Sequence, residues 1–376
     1  MKTELTKIEK MLLDLLRVAL TEHTQRAASP TLSLFEEVDE TAWRQCFGLA
    51  KKHGVMALAW DGVQHLPQQL FPPKSVKINW ALQVADYETK YERYVKTLVQ
   101  LTEFYAKHGI GLVQMKGVGL SSYYPRPSHR EGGDIDIYTY SLDHSVMSDA
   151  EANHLADQLM MDQGIEVETE HPKHSVFFYH GVPIENHHFF LNEKEIPYAK
   201  AMGEYLHRVC EPRKVALLDG AYEVNIPSPA FNQVFVPFHA MQHWSAGLCL
   251  HHLCDCAVIA QKQGLVVTSE AIDPHFKRAL AVFAEFARRF LGVGEAGEYS
   301  EELFEMVMAD VFRNAFNVQG DHLQKIAGWR VFLFKLTRFC RRVKVRRKVI
   351  GESIPRAIWQ SIIMHLKKPA TIFHFS

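Results

Sequence analysis

LVQMKGVGLSSYYPRPSHREGGDIDIYTY, residues 112–140, runs from an apolar stretch through Lys116-Gly117 and a polar loop into a second apolar stretch carrying two aspartates one residue apart. Strand geometry sends alternate side chains to opposite faces. Asp134 and Asp136 therefore share one face, and Ile135 and Ile137 share the other. Two carboxylates about 4 Å apart repel by roughly 4 kcal/mol at an effective dielectric near 20. A half-buried strand does not leave that cost uncompensated, and a divalent cation removes it. Oxygen donors without neighbouring cysteines select Mg2+ or Mn2+ over zinc. Gly132-Gly133, just before the pair, suits a strand that enters a core with its backbone exposed beside it. Alone, a D-x-D also reads as a solvated strand edge.

A third acid completes such a site. The β-like run 182–189 centres on Glu185, and an adjacent strand brings it within reach of the pair. Three carboxylates on neighbouring strands can hold two metal ions, one lowering the pKa of an attacking hydroxyl and the other bridging a nucleotide's phosphates. That is phosphoryl- or nucleotidyl-transfer chemistry. His187, on the face of Glu185, either orients a ligand or is a satisfied core histidine. Upstream, the strand-like 111–115 ends at Lys116-Gly117, where a glycine turn and a helix start let phosphate approach backbone N–H groups. Lys116 meets a phosphate or pairs with the acids. Arg130, four residues before Asp134, clamps a phosphate bidentately or bridges a site acid.

The rest of the chain frames this core. With 376 residues and 47% hydrophobic content it is globular, and a formal charge of -1 leaves any preference for nucleic acid or membrane to local patches. Residues 4–22 read as an amphipathic helix, because Asp14 and Arg17 interrupt what would be a signal-peptide core. No apolar run approaches the ~18 residues of a membrane span, so the expected location is cytoplasmic. The six cysteines lack paired spacing and read as buried thiols. Helical periodicity covers 40–52 and 75–108, with a short apolar piece at 55–63. Strands are expected at 111–115, 134–140, 175–179, 183–190 and 221–226, with helices at 116–124, 148–163 and 198–209 between them. Helices return at 231–244, 247–262, 274–291 and 301–312. The fold class is thus α+β: a helical region over 1–108, a small mixed β-sheet core over 109–227, and a second helical region over 228–376.

Two further patterns stand out. His239 and His243 are four apart on a helix and His251 and His252 follow, but no Glu stands in an H-E-x-x-H frame, so the pair reads as packing and not zinc. From His322 to Gly351 there are ten Lys/Arg and no Asp or Glu, with Trp329, Leu333 and Leu336 among apolar residues at helical spacing. This basic helix either packs its apolar face on the core or contacts an anionic surface, lipid or polynucleotide.

Lys116-Gly117, Leu120, Tyr124-Pro125, Arg130 and Gly133-Asp134-Ile135-Asp136 together resemble the uncharacterised bacterial nucleotidyltransferase family within the DNA polymerase β-like superfamily. Glu185-Asn186-His187 is similar to that family's Glu-x-His element, and the likeness extends over roughly residues 40 to 260. The resemblance implies a minimal nucleotidyltransferase sheet, with Asp134, Asp136 and Glu185 as catalytic metal ligands and Lys116, Gly117, Arg130 and His187 around the nucleotide. Two departures are visible: Lys116-Gly117 and Val118-Gly119 stand in place of a Gly-Ser turn, and His251 stands where an arginine is more typical. The expected activity is transfer of an NMP group from an NTP, with Mg2+ or Mn2+, to a hydroxyl of an acceptor that is protein, RNA, sugar or small molecule. The alternatives are a D-x-D glycosyltransferase, which needs alternating β and α elements before the motif, and a non-catalytic binding or antitoxin-like protein on the same scaffold.

Overall fold

Among the described residues four α-helices precede the first strand. In the computed structural model, which describes residues 3–21, 28–171, 173–191, 198–244, 247–263, 272–313, 329–355, 358–359 and 362–363, these are α1 (Lys7–Thr21), α2 (Glu40–Lys52), α3 (Met56–Gln64) and the long α4 (Lys74–Ala106). Instead of lying half-wet, α1 is buried around most of its circumference, from Met11 and Leu12 to Ala19 and Leu20. The reason is its contact with α3: a Cβ on Gly62 would sit 2.2 Å from the Leu15 carbonyl oxygen, so only glycine permits the approach. Asp14, 7% exposed, is satisfied by Arg17 at 2.5 Å.

The middle of the chain alternates. β1 (Ile110–Gln114) leads into a single turn, α5 (Val118–Ser121), then β2 (Ile135–Ser141), α6 (Asp149–Asp162), β3 (Val167–Glu168), β4 (His174–Tyr179) and β5 (Val182–His187). The helix expected over 116–124 stops early because Tyr123 and Tyr124 turn away to other partners. The Tyr124 hydroxyl donates to Asp255 at 2.6 Å, and that of Tyr123 accepts from Gln263 at 2.7 Å. α7 (Ala199–Val209) and the hairpin of β6 (Arg213–Leu217) and β7 (Tyr222–Ile226) follow, then α8 (Pro229–His243), α9 (Leu250–Gln263), α10 (Pro274–Phe286) with a π turn at Ala287–Leu291, α11 (Glu301–Arg313) and α12 (Trp329–Val349). The first residues of the basic stretch, 322–328, lie outside the described residues.

The five-stranded sheet has the order β1-β2-β5-β4-β3. β2 and β5 pair in parallel with Ile135 opposite Ile184, Asp136 opposite Glu185 and Tyr138 opposite His187, while the other pairs are antiparallel. One face of β2 and β5 rests on α6 through a buried polar network. Asn153 Nδ2 donates to Thr139 Oγ1 at 2.9 Å, to Asn186 Oδ1 at 3.1 Å and to the His187 carbonyl at 2.9 Å, and Asn186 Nδ2 donates to Asp157 at 2.9 Å. These partners fix which face of β5 turns to α6. A one-residue slip would bury Glu185 against the helix and present Asn186 to the opposite face.

Truncating Asn153 to Ala removes a donor from three buried acceptors, of which Asn186 Oδ1 keeps the Thr139 hydroxyl. A loss of about 1–3 kcal/mol in urea unfolding is expected; an unchanged midpoint would mean the network does not hold the sheet.

Candidate active site

The site forms where β1 ends and β2 begins. Gly117 has φ +57 and ψ -123, and a Cβ there would lie 3.1 Å from the Asp134 carbonyl oxygen, so the turn closes against the strand entry only as glycine. Met115 N–H donates to the Asp136 carbonyl at 3.0 Å, and Gln114 Nε2 to the Lys116 carbonyl at 2.6 Å. With its backbone tied, Lys116 sends its side chain over the sheet, Nζ reaching Asp136 Oδ1 at 2.6 Å.

Asp134, Asp136 and Glu185 meet: one oxygen from each lies within 4.8 Å of the others. Asp136 is 2% exposed and braced from two sides, by Lys116 and by His187 Nε2 at 3.0 Å. Burial acts against its ionisation, but Lys116 and His187 outweigh it and hold the carboxyl well below the usual range. Burial also disfavours the Lys116 ammonium, yet Asp136, helped by Asp134 and Glu185, keeps its pKa above the ordinary value. Glu185 is likewise held low despite burial, chiefly by His187. Asp134 differs. Among the described residues no hydrogen bond or ion pair holds its carboxylate, and burial, with repulsion from Asp136, pushes it up to about 6.

Helix α4 fixes the backbone just before Asp134. The Tyr87 hydroxyl donates to the Gly132 carbonyl at 2.7 Å and accepts from the Gly132 N–H at 2.5 Å. Lys90 Nζ donates to the same carbonyl at 3.0 Å, and the Tyr94 hydroxyl to the Gly133 carbonyl at 2.9 Å. Residues 87, 90 and 94 lie on one helical face. Together they clamp Gly132-Gly133, and with Arg130 and Asp134 they line a crevice opening at the acid.

Arg130 goes elsewhere than to a site acid. Its guanidinium pairs bidentately with Asp255 of α9, Nη2 at 2.6 Å and Nε at 3.1 Å, and Tyr124 shares that carboxylate. Asp255 thus ties the loop before the acids to α9. His174 of β4 approaches from the far side, Nδ1 at 3.6 Å from Glu185 Oε2.

The structure gathers His239, His243 and His252, one nitrogen of each within 4.8 Å of the others. Burial comes first among the causes that depress all three pKa values, His243 to about 4. Hydrogen bonding argues against a metal there. His239 Nε2 faces the Lys116 ammonium at 3.3 Å, and an ammonium can only donate; His252 Nδ1 accepts the Cys249 N–H at 3.1 Å. His239 therefore braces Lys116. None of the clamp, Asp255 or His239 contacts follows from local periodicity, because each joins segments far apart in the chain.

The carboxylates suit a hard divalent cation. Three carboxylates and the ammonium of Lys116 leave a net charge of -2, which one such ion balances, and among the described residues Asp134 supplies an oxygen committed to no other group.

A family model described as an uncharacterised nucleotidyltransferase matches residues 39–292, from the start of α2 through the π turn after α10. The chain belongs to that family. Membership covers the sheet, the acids and the flanking helices from α2 to α10. Among solved structures, an antigenic nucleotidyltransferase-like protein from Paracoccidioides brasiliensis is 13% identical, covering 58% of this chain and 96% of that one, with a TM-score of 0.34. No curated protein matches the chain.

Because the folded pKa of Asp134 lies above its ordinary value, its ionisation destabilises the cation-free protein as pH rises from about 4 through about 6. Asp134→Asn should therefore gain stability relative to the parent over that window in EDTA, by thermal melting; a constant difference would contradict the isolation of this carboxylate. Tyr87→Phe, which removes both bonds to Gly132, should weaken Mn2+ binding about ten-fold in calorimetry without changing its stoichiometry.

Proposed function

We propose that the protein is a Mg2+- or Mn2+-dependent nucleotidyltransferase that moves an NMP group from an NTP to a hydroxyl acceptor, which is protein, RNA, sugar or small molecule. The observation that carries this reading is the meeting of Asp134, Asp136 and Glu185 across the parallel β2–β5 pair, with Asp134 unpaired among the described residues. The reading carries with it a place in the DNA polymerase β-like superfamily.

Asp134, Asp136 and Glu185 would hold the cation, which when bound polarises phosphate and lowers the pKa of an attacking hydroxyl. His187 and Lys116 keep Asp136 ionised and oriented; His187 does so from a fully buried position. This places His187 behind a carboxylate, whereas the sequence motif allowed direct nucleotide contact. Glu185, partly exposed and kept ionised, is the acid placed to take the proton of the acceptor hydroxyl. In this reading the Gly117 turn, with Lys116 held on Asp136 beside it, would face the phosphates. Arg130 reaches phosphate only from its Asp255 pairing, so its first role is to hold the loop.

The protein, incubated with Mn2+, cell extract and an NTP labelled at either the α or the γ phosphorus, should transfer the α label alone. Asp134→Asn, Asp136→Asn and Glu185→Gln should each abolish transfer, and His187→Ala should lower Mn2+ affinity about 10–100-fold. Transfer of the γ label, or transfer that survives Asp136→Asn, would refute the assignment.

A further inference from the structure

α12 is anchored at one end and open at the other. In its C-terminal half Val343 and Val349 are buried, as is Ile350 just beyond it, Arg346 Nε donates to Glu352 at 2.6 Å, and the helix packs on α10. In its N-terminal half Val331 is buried too, but three large apolar side chains turn outward. Trp329, Leu333 and Leu336 recur at i, i+4 and i+7, one face of the helix, and face outward, Trp329 being 65% exposed. Packing of the whole apolar face on the core, one of the two readings of the sequence, therefore does not extend to Trp329, Leu333 and Leu336. The outward apolar character continues in Ile358, Trp359 and Ile362.

The surrounding charge says what this face meets. Residues 322–351 carry ten Lys/Arg and no acid, and Lys344 and Arg347 are exposed on the same helix. Apolar Trp and Leu side chains beside Lys and Arg match an interface with hydrocarbon below and phosphate above. A polynucleotide offers the phosphate but no apolar phase for three large side chains. A second copy of the chain would set like charge against like charge. No described helix is long and apolar enough to cross a membrane, so this one would lie on the surface.

We propose that α12 seats the protein on an anionic phospholipid surface, Trp329, Leu333 and Leu336 entering the acyl boundary and exposed Lys344 and Arg347 meeting lipid phosphates. The proposal stands apart from the transferase reading and can fail without it.

The full chain should co-sediment with equimolar phosphatidylglycerol–phosphatidylcholine vesicles and much less with pure phosphatidylcholine, more weakly as salt rises. Leu333→Glu combined with Leu336→Glu should cut the partition coefficient more than ten-fold, and Arg347→Glu at least five-fold, on the scale of about five-fold per basic residue lost. Both variants alter exposed positions and should melt as the parent does. Trp329→Phe should reduce the blue shift of tryptophan emission on vesicles. Failure to bind the anionic vesicles overturns the proposal, whether the protein binds only tRNA or duplex DNA or forms a dimer that the double variant splits. Partition that is unchanged in the double variant overturns it too.

Discussion

The parallel pairing of β2 with β5 is the constraint on which the site depends. It sets Asp136 beside Glu185 and Tyr138 beside His187, so two segments some fifty residues apart present their acids to one volume. Parallel strands need a crossover, here supplied by α6 together with the β3–β4 excursion. The same helix then secures the register from behind, since Asn153 reaches Thr139, Asn186 and His187 at once. The polar network on one face of the sheet thereby determines the chemistry available on the other.

On that chemical face the three carboxylates are not equivalent. Asp136 is neutralised within the fold by Lys116, itself steadied by His239, and by His187. Glu185 leans on His187. Asp134 alone keeps its charge without a partner among the described residues, on a backbone that α4 holds through two glycine carbonyls. A backbone tied in place under an uncompensated carboxylate suits the proposed cation site, because ligands that are already placed need no reordering.

Much of this was legible in the sequence where information is local. The alternation of Asp134, Ile135, Asp136 and Ile137 exposes a strand with one charged face, and Glu185-Asn186-His187 does the same for its neighbour. Elements whose signal is weak were not legible: β3 has two residues, and β6 begins Arg-Lys with its first side chains in solvent, so neither carries an apolar period. α5 shortens because Tyr123 and Tyr124 are drawn to distant partners, a tertiary effect. α1 is amphipathic as its apolar spacing indicates, but that it would lie mostly buried was not legible, because its charged Asp14 and Arg17 pair with each other. The site's supporting residues follow the same rule. Arg130 could be placed near the acids by counting, but that it would take Asp255, 125 residues away, could not.

On the reading proposed above, the carboxylates of Asp134, Asp136 and Glu185 share a divalent cation. Anomalous scattering from crystals of the full chain soaked in Mn2+ tests it most directly. A peak within coordination distance of all three carboxylates, lost in Asp134→Asn, is the expected result. Manganese bound only elsewhere, with the three carboxylates unchanged around Lys116, would contradict it.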